Sequence, residues 1–274
     1  MNESISLDAP IVDIEDFQKW ILYEDDSLLV LNKPGWLVCH PSKNGPWSSL
    51  VGAAKEYLQL ETVHLASRLD RETSGVVLLA KHKKAASHWQ KGIEFKTVRR
   101  NYLAILDGHL TDNRHVSTYL GKDPYSEVYV KQRVTENSRK AKYAETFFYP
   151  LVRRGGYTFC SVGTQTGRKH QIRIHAQWIN HSLVGEKLYG KNEQIYLDFC
   201  QSGWKEEWLD LLGMCRQALH GRYLKDTDKG DCFSAPLPED FETFLRSRMK
   251  LSFKEIQKYV SLADSLTFYD KVEN

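Results

Sequence analysis

Apolar residues fall in short runs along the chain, and the period of those runs changes from place to place. Ser27–Asn32 (SLLVLN) and Val76–Ala80 (VVLLA) are unbroken aliphatic runs of strand length, as expected of strands buried on both faces. The first stops at Lys33-Pro34-Gly35, a turn, after which Trp36–Cys39 reads as extended and His40–Pro46 as a loop. Arg100–Asp107 (RNYLAILD) predicts a strand ending at Gly108. Tyr143–Tyr149 and Tyr157–Val162 predict paired strands around a turn at Arg153–Gly156, and Gln217–Tyr223 a further strand. Leu50, Ala53, Ala54, Tyr57 and Leu58 share one side of a helix over Ser49–Leu60. Lys83–Ile93 and Phe241–Tyr259 also predict helices, the second after a Pro-bounded turn at Ala235–Pro238, and Ile11–Trp20 a short amphipathic helix or arm. Tyr125–Lys142 is polar and unpatterned, which predicts a mobile loop or a hairpin tip. Many strands with a few helices that do not strictly alternate predict an α+β fold. With no linker-like tract, the expected organisation is an acidic arm over 1–20 and one domain over 21–274, with a helical extension from about 241.

Composition narrows the class. A chain of 274 residues with 41% hydrophobic residues can bury a sizeable core without disulfide or metal staples. Cys39, Cys160, Cys200, Cys215 and Cys232 are widely spaced and form no C-x-x-C pair, which suits reduced thiols and argues against a zinc ribbon. Met1–Ala9 lacks the basic and apolar regions of a secretory leader, and no apolar run approaches a membrane span. A soluble, cytoplasmic protein is the expectation. The net charge of +3 hides an asymmetry. Residues 1–30 hold eight acidic side chains against Lys19 alone, whereas 81–100 hold seven Lys/Arg against Glu94, and 131–142 five against Glu136. A body this basic suits a polyanion, nucleic acid first, although solvated Lys-rich helix faces would leave the same pattern.

Three stretches could carry chemistry. In Val63–Lys81 (VHLASRLDRETSGVVLLAK), Asp70 lies between Arg68 and Arg71 at the mouth of a buried strand. Nearby positive charge keeps a carboxylate ionised, so Asp70 would be a poor general acid and a good nucleophile or stabiliser of a developing cation. Thr73-Ser74-Gly75 offers small groups that a ligand can approach. A structural ion-pair cluster capping the strand accounts for the same residues. In Thr164–Gly190 (TQTGRKHQIRIHAQWINHSLVGEKLYG), Arg173 sits among apolar residues and needs an anion, either Asp70 or a phosphate. The periodicity there fits a strand or a helix. His170, His175 and His181 share no single face at i, i+5, i+11, so no metal site is expected. In Arg100–Ala104, Tyr102 heads a strand, where a tyrosine packs, stacks or moves a proton.

In this order the stretches resemble the RluA-like family of RNA pseudouridine synthases. YEDDSLLVLNKPGWLVCHP is similar to the family's opening, although here the Gly follows the Pro directly; RLDRETSGVVLLAK is similar to its catalytic motif and KTVRRNYLAILDG to its Tyr motif. TGRKHQIRIHAQWINHSLVGEKLYG and APLPEDF complete the likeness, which runs from about Tyr23 to Phe241. The resemblance implies the pseudouridine synthase fold, a mixed, mainly antiparallel central sheet flanked by helices and loops, for the domain over 21–274. It implies that Asp70 is the catalytic aspartate acting at C1′ of a flipped-out uridine, that Tyr102 contacts the base and moves a proton, and that Arg173 pairs with Asp70. Arg68, Arg71, Thr73, Arg168, His170 and Gln171 are the accompanying candidates for substrate or RNA contact. It implies no cofactor and no metal, an rRNA or tRNA partner, and a monomer as the favoured state. Two positions depart from the family: Ser67 stands where His is common before R-L-D, and Asn101 where Lys is common before the Tyr. With about twenty residues before the match, no N-terminal RNA-binding domain is expected. Two rivals stay open: a glycosidase using Asp70 with Glu72, and an RNA-binding factor without catalysis.

Overall fold

The structure, a computed structural model, describes residues 11–40 and 44–266. The first half of the acidic arm, residues 1–10, lies outside the described residues. In chain order the elements are α1 (Ile14–Lys19), β1 (Ile21–Glu24), β2 (Leu28–Lys33), α2 (Leu50–Leu58), β3 (His64–Leu65), β4 (Ser74–Ala80), α3 (Lys83–Glu94) and β5 (Val98–Asp107). Then come β6 (Arg114–Lys122), β7 (Gln132–Thr135), β8 (Lys142–Arg154), β9 (Tyr157–Thr164), α4 (Gln171–Trp178), α5 (Gln194–Ser202) and α6 (Trp208–Leu212). The last are β10 (Leu219–Asp226), β11 (Cys232–Ser234), α7 (Glu239–Ser247) and α8 (Phe253–Ser265).

The strands join in one sheet, ordered β1-β2-β4-β10-β5-β9-β8-β6-β7, with β3 beside β4 and β11 beside β10. All of these pairings are antiparallel except β4 with β10, where Ser74 and Gly75 lie parallel to His220 and Gly221. The fold is therefore α+β, as the pattern predicts, and its sheet is the mixed, largely antiparallel one flanked by helices that the resemblance implies. Strands β2 and β4 explain their aliphatic runs: Leu29, Leu31, Val77 and Leu79 face α1 and α2, while Leu28, Val30, Val76 and Leu78 face α3. Farther along, α7 and α8 cover Leu103, Ile105 and Phe159 on one face. Helix α4 covers Ala104, Leu106 and Val162 on the other.

The structure departs from the sequence pattern at one place and decides between its alternatives at two. Phe241–Tyr259 is two helices, separated at Lys250, whose φ is +53°, and restarted by Ser252 and Glu255 as a capping box. The ambiguous segment after Thr164 is helix α4, with Gln171–Ala176 all buried; burial on every side erased the period. Tyr125–Lys142 is the hairpin tip of its two expected forms, not a loose loop. It contains β7 and an anchored loop in which Val128 packs with Ile174 and Leu188, and Lys131 donates to Glu193 Oε2 at 2.6 Å.

Candidate active site

The short parallel contact between β4 and β10 brings distant stretches together. Gly75 has φ +116°, and a Cβ there would collide with the Gly221 backbone, so only glycine allows the approach. The loop before β4 thereby meets the loop before β10. Glu72 accepts Lys187 Nζ at 3.0 Å and the Gln217 backbone N–H at 3.1 Å. Gln217 Nε2 donates to Thr73 Oγ1 at 2.6 Å, and Arg216 Nη1 to the Glu72 carbonyl at 3.0 Å. From below, the wholly buried Lys33 donates to the carbonyls of Pro34, Leu37 and Arg71. Burial pulls its pKa down to about 8. The loop carrying Asp70 is thus clamped on several sides.

Asp70 lies in a cleft of about 1250 Å³ between the end of α3 and the loop leading into α4. Its side chain is 29% exposed, so it is deep yet reachable. Arg173 Nη1 donates to Asp70 Oδ2 at 3.1 Å. The same guanidinium holds the buried Glu186 bidentately, at 2.8 and 2.7 Å, and lies 5.0 Å over the Tyr189 ring. Glu186 also accepts the backbone N–H groups of Leu188 and Tyr189. Burial would raise the Asp70 pKa, but His170, Arg173 and a Gln217 hydrogen bond outweigh it and hold the carboxyl below its usual range. His170 is itself pulled down to about 4 by burial and by Arg173, so at neutral pH it is uncharged. Arg173 is then the charge that keeps Asp70 ionised.

All nine sequence-derived candidates line this cleft: Asp70, Tyr102, Arg173, Arg68, Arg71, Thr73, Arg168, His170 and Gln171. They differ in what they have free. The Tyr102 hydroxyl has no hydrogen-bond partner among the described residues and stands on β5 at the cleft wall. Arg68 is exposed and meets His40 Nε2 at 3.2 Å. Arg71 donates to the Trp36 carbonyl, and Arg168 to that of Tyr143. His170 bonds through Nδ1 to the Tyr189 hydroxyl at 2.7 Å, with Nε2 4.0 Å from Asp70. Gln171 is fully engaged: its oxygen accepts from Thr166 Oγ1 and Arg168 N, and its nitrogen donates to Glu145 O and Thr146 Oγ1. It holds the loop against β8 and has no valence left for a ligand.

Comparison with known proteins places this cleft in context. A family model described as RNA pseudouridylate synthase matches residues 27–178, more than half of the chain. The chain belongs to the RNA pseudouridine synthases. "Uncharacterized RNA pseudouridine synthase YjbO" of Bacillus subtilis is 33% identical over 235 residues, covering 82% of this chain and 75% of its own. "Ribosomal large subunit pseudouridine synthase D" of Neisseria meningitidis serogroup A is 33% identical over 229 residues, covering 80% of this chain and 58% of its own. The fold matches "Human RNA Pseudouridylate Synthase Domain Containing 4" with a TM-score of 0.69 at 24% identity, over 88% of this chain and 96% of that one.

As a pseudouridine synthase the chain is an isomerase acting on RNA, and the groups that hold its cleft in place include some that sequence reading passed over. Glu186 and Lys187 are adjacent charges in a loop, which normally signals solvent exposure, yet both are buried. Gln217 looked like the first residue of a strand. The rival carboxylate pair does not form, because Glu72 turns to Lys187 and Gln217 and does not line the cleft. The three histidines also separate: His175 is bonded to Thr118 and Thr146, and His181 to the Asp107 carbonyl. Among the described residues no group of three His, Cys, Asp or Glu side chains could hold a metal, and no helix is long and apolar enough to cross a membrane.

Proposed function

We propose that this pseudouridine synthase isomerises one uridine of a ribosomal RNA, with Asp70 acting at C1′ of a nucleotide flipped into the cleft. The observation that carries this reading is an ionised, solvent-reachable Asp70 held by Arg173 in the same cleft as an unengaged Tyr102 phenol. Ribosomal RNA is favoured over transfer RNA because several relatives are named ribosomal large subunit pseudouridine synthase D. The N1–C1′ bond breaks, the freed uracil turns, C5 joins C1′, and the C5 proton is lost as N1 gains one. Asp70 acts as nucleophile at C1′ or as acceptor of a ribose proton. Arg173 keeps it charged and aimed, a preorganisation that needs no rearrangement as charge develops. Tyr102 offers a flat face to the uracil and a phenol for the C5 proton. Extracting the nucleotide costs a few kcal/mol, least where it is unpaired, and the cationic rim of Arg68, Arg168 and Lys169 offsets part of that through phosphates.

The test uses unmodified ribosomal and transfer RNA transcripts tritiated at uridine C5. Release of tritium into water by the wild type, confined to ribosomal transcripts and lost in Asp70→Asn, is the expected result. Equal release by Asp70→Asn removes the aspartate from the chemistry, and release from transfer RNA alone reverses the substrate assignment.

A further inference from the structure

The sheet ends at β7, and its edge hairpin carries features that the cleft does not account for. Tyr125 is 83% exposed and Tyr129 79% exposed, each with a cation over its ring: Arg133 at 5.2 Å and Lys122 at 4.2 Å. Single exposed aromatics are ordinary, but this loop is not an unpacked leftover. Val128 is buried beneath it, Ser126 and Lys131 both bond Glu193 ahead of α5, and Gln132 N donates to the Tyr189 hydroxyl. The inner side is fixed while the tyrosines point outward.

Strand register connects one of them to the cleft. Tyr143, which lines the cleft, lies opposite Tyr119 across β8 and β6, and the rings meet edge to face at 5.8 Å. Tyr119 lies opposite Thr135, and Gly121 opposite Arg133, so side-chain alternation puts Tyr143, Tyr119 and Arg133 on one face. Arg133 then covers Tyr125. Gly121 adds no side chain between them. The turn from β7 to β8 contributes exposed Arg139 and Lys140 against Glu136 alone. The result is a line of aromatic faces leaving the cleft at Tyr143, bordered by cations.

We propose that Tyr143, Tyr119, Arg133 and Tyr125 form a track for single-stranded RNA flanking the target nucleotide. The proposal rests on the reading of the cleft as the uridine site. Aromatic faces beside a cationic border fit unpaired bases and their phosphates, because every base offers a π-face whereas a duplex hides its own. The track selects RNA whose target uridine adjoins an unpaired segment. Tyr129 and Lys122 lie on the opposite face of the hairpin and take no part.

Fluorescence anisotropy with a short fluorescein-labelled single-stranded RNA, and with the same strand in a duplex, reads the track directly. Tyr125→Ala and Arg133→Gln, both at exposed positions, are each expected to weaken single-strand binding about tenfold, the loss of one stacked base or its cation. Duplex binding is expected to stay within about twofold, and Tyr129→Ala to match the wild type on both probes. Unchanged single-strand affinity in both variants overturns the track, as does an equal loss on the duplex, which would mark a general charge effect or a surface for a protein partner. Tritium release from ribosomal transcripts, measured in parallel, reports on the cleft alone. Intact affinity differences without release leave the track standing and remove the uridine reading; release without affinity differences does the reverse.

Discussion

Arg173 at the cleft floor and Arg133 on the edge hairpin are both cations lying over a tyrosine ring, in opposite surroundings. Arg173 is buried, clasped bidentately by Glu186 and shared with Asp70. Arg133 is exposed and lies over a tyrosine that is itself in water. The difference is one of dielectric. A desolvated ion network is costly to assemble, but once satisfied it holds one charge state and one geometry, which suits a group that must act in a transition state. An exposed cation is screened by salt and contributes attraction without fixing geometry, which suits binding along a flexible strand.

The largest effect expected at the floor is on rate. Asp70→Asn should lower tritium release at least about a thousandfold while RNA affinity stays within a few-fold. A loss of affinity as large as the loss of rate would mean that floor and edge do the same job. Next comes stability. Glu186→Ala leaves Arg173 buried with only the partly exposed Asp70, and should cost about 3–5 kcal/mol in urea unfolding. A cost below about 1 kcal/mol would show that water reaches the floor as freely as the edge.

Acid should discriminate between the regions as well. Burial depresses the pKa values of His170 and His175 to about 4 and that of His220 to about 3. Folded pKa values below the unfolded 6.5 mean that the unfolded chain binds more protons between them. Stability is therefore complete above about pH 6.5 and falls as pH drops toward 4, by about 1.4 kcal/mol per pH unit for each group. Asp70 and Glu186, both lowered, add losses of the same sign below the normal carboxylate range. Melting temperatures measured from pH 7 to pH 5 should fall, and His175→Gln should flatten the slope. A level profile would break the picture of a dry interior behind the cleft. The smallest effect belongs to the edge. Arg133→Gln should leave stability within about 0.5 kcal/mol and reduce the salt slope of RNA binding by about one; an unchanged slope would take Arg133 off the RNA path.

Legibility in the sequence followed burial and charge. Strands β2 and β4 were readable because aliphatic runs buried on both faces look alike in any context. Helix α4 was not, since all-round burial leaves no periodic signal. Strand β6 was missed where Val116, Thr118 and Leu120 alternate weakly with polar residues. The hairpin tip could not be told from a mobile loop because Val128 and Val130, its anchors, are too few to stand out. In the site, Asp70, Tyr102 and Arg173 were visible through their motifs. Glu186, Gln217 and Lys33 were not, because their role is to satisfy other groups, and partners distant in sequence leave no local mark.

The sequence by itself determined the family, the aliphatic centre of the sheet and the residues that the cleft gathers, because motifs and hydrophobic runs are local properties of the chain. Only the tertiary structure decided which carboxylate Arg173 grips with both arms, that Glu72 turns to Lys187, and that Tyr143 opens onto the edge hairpin. Those are relations between charges and rings brought together by sheet register, and their energies exist only once water has been removed from, or left between, the partners.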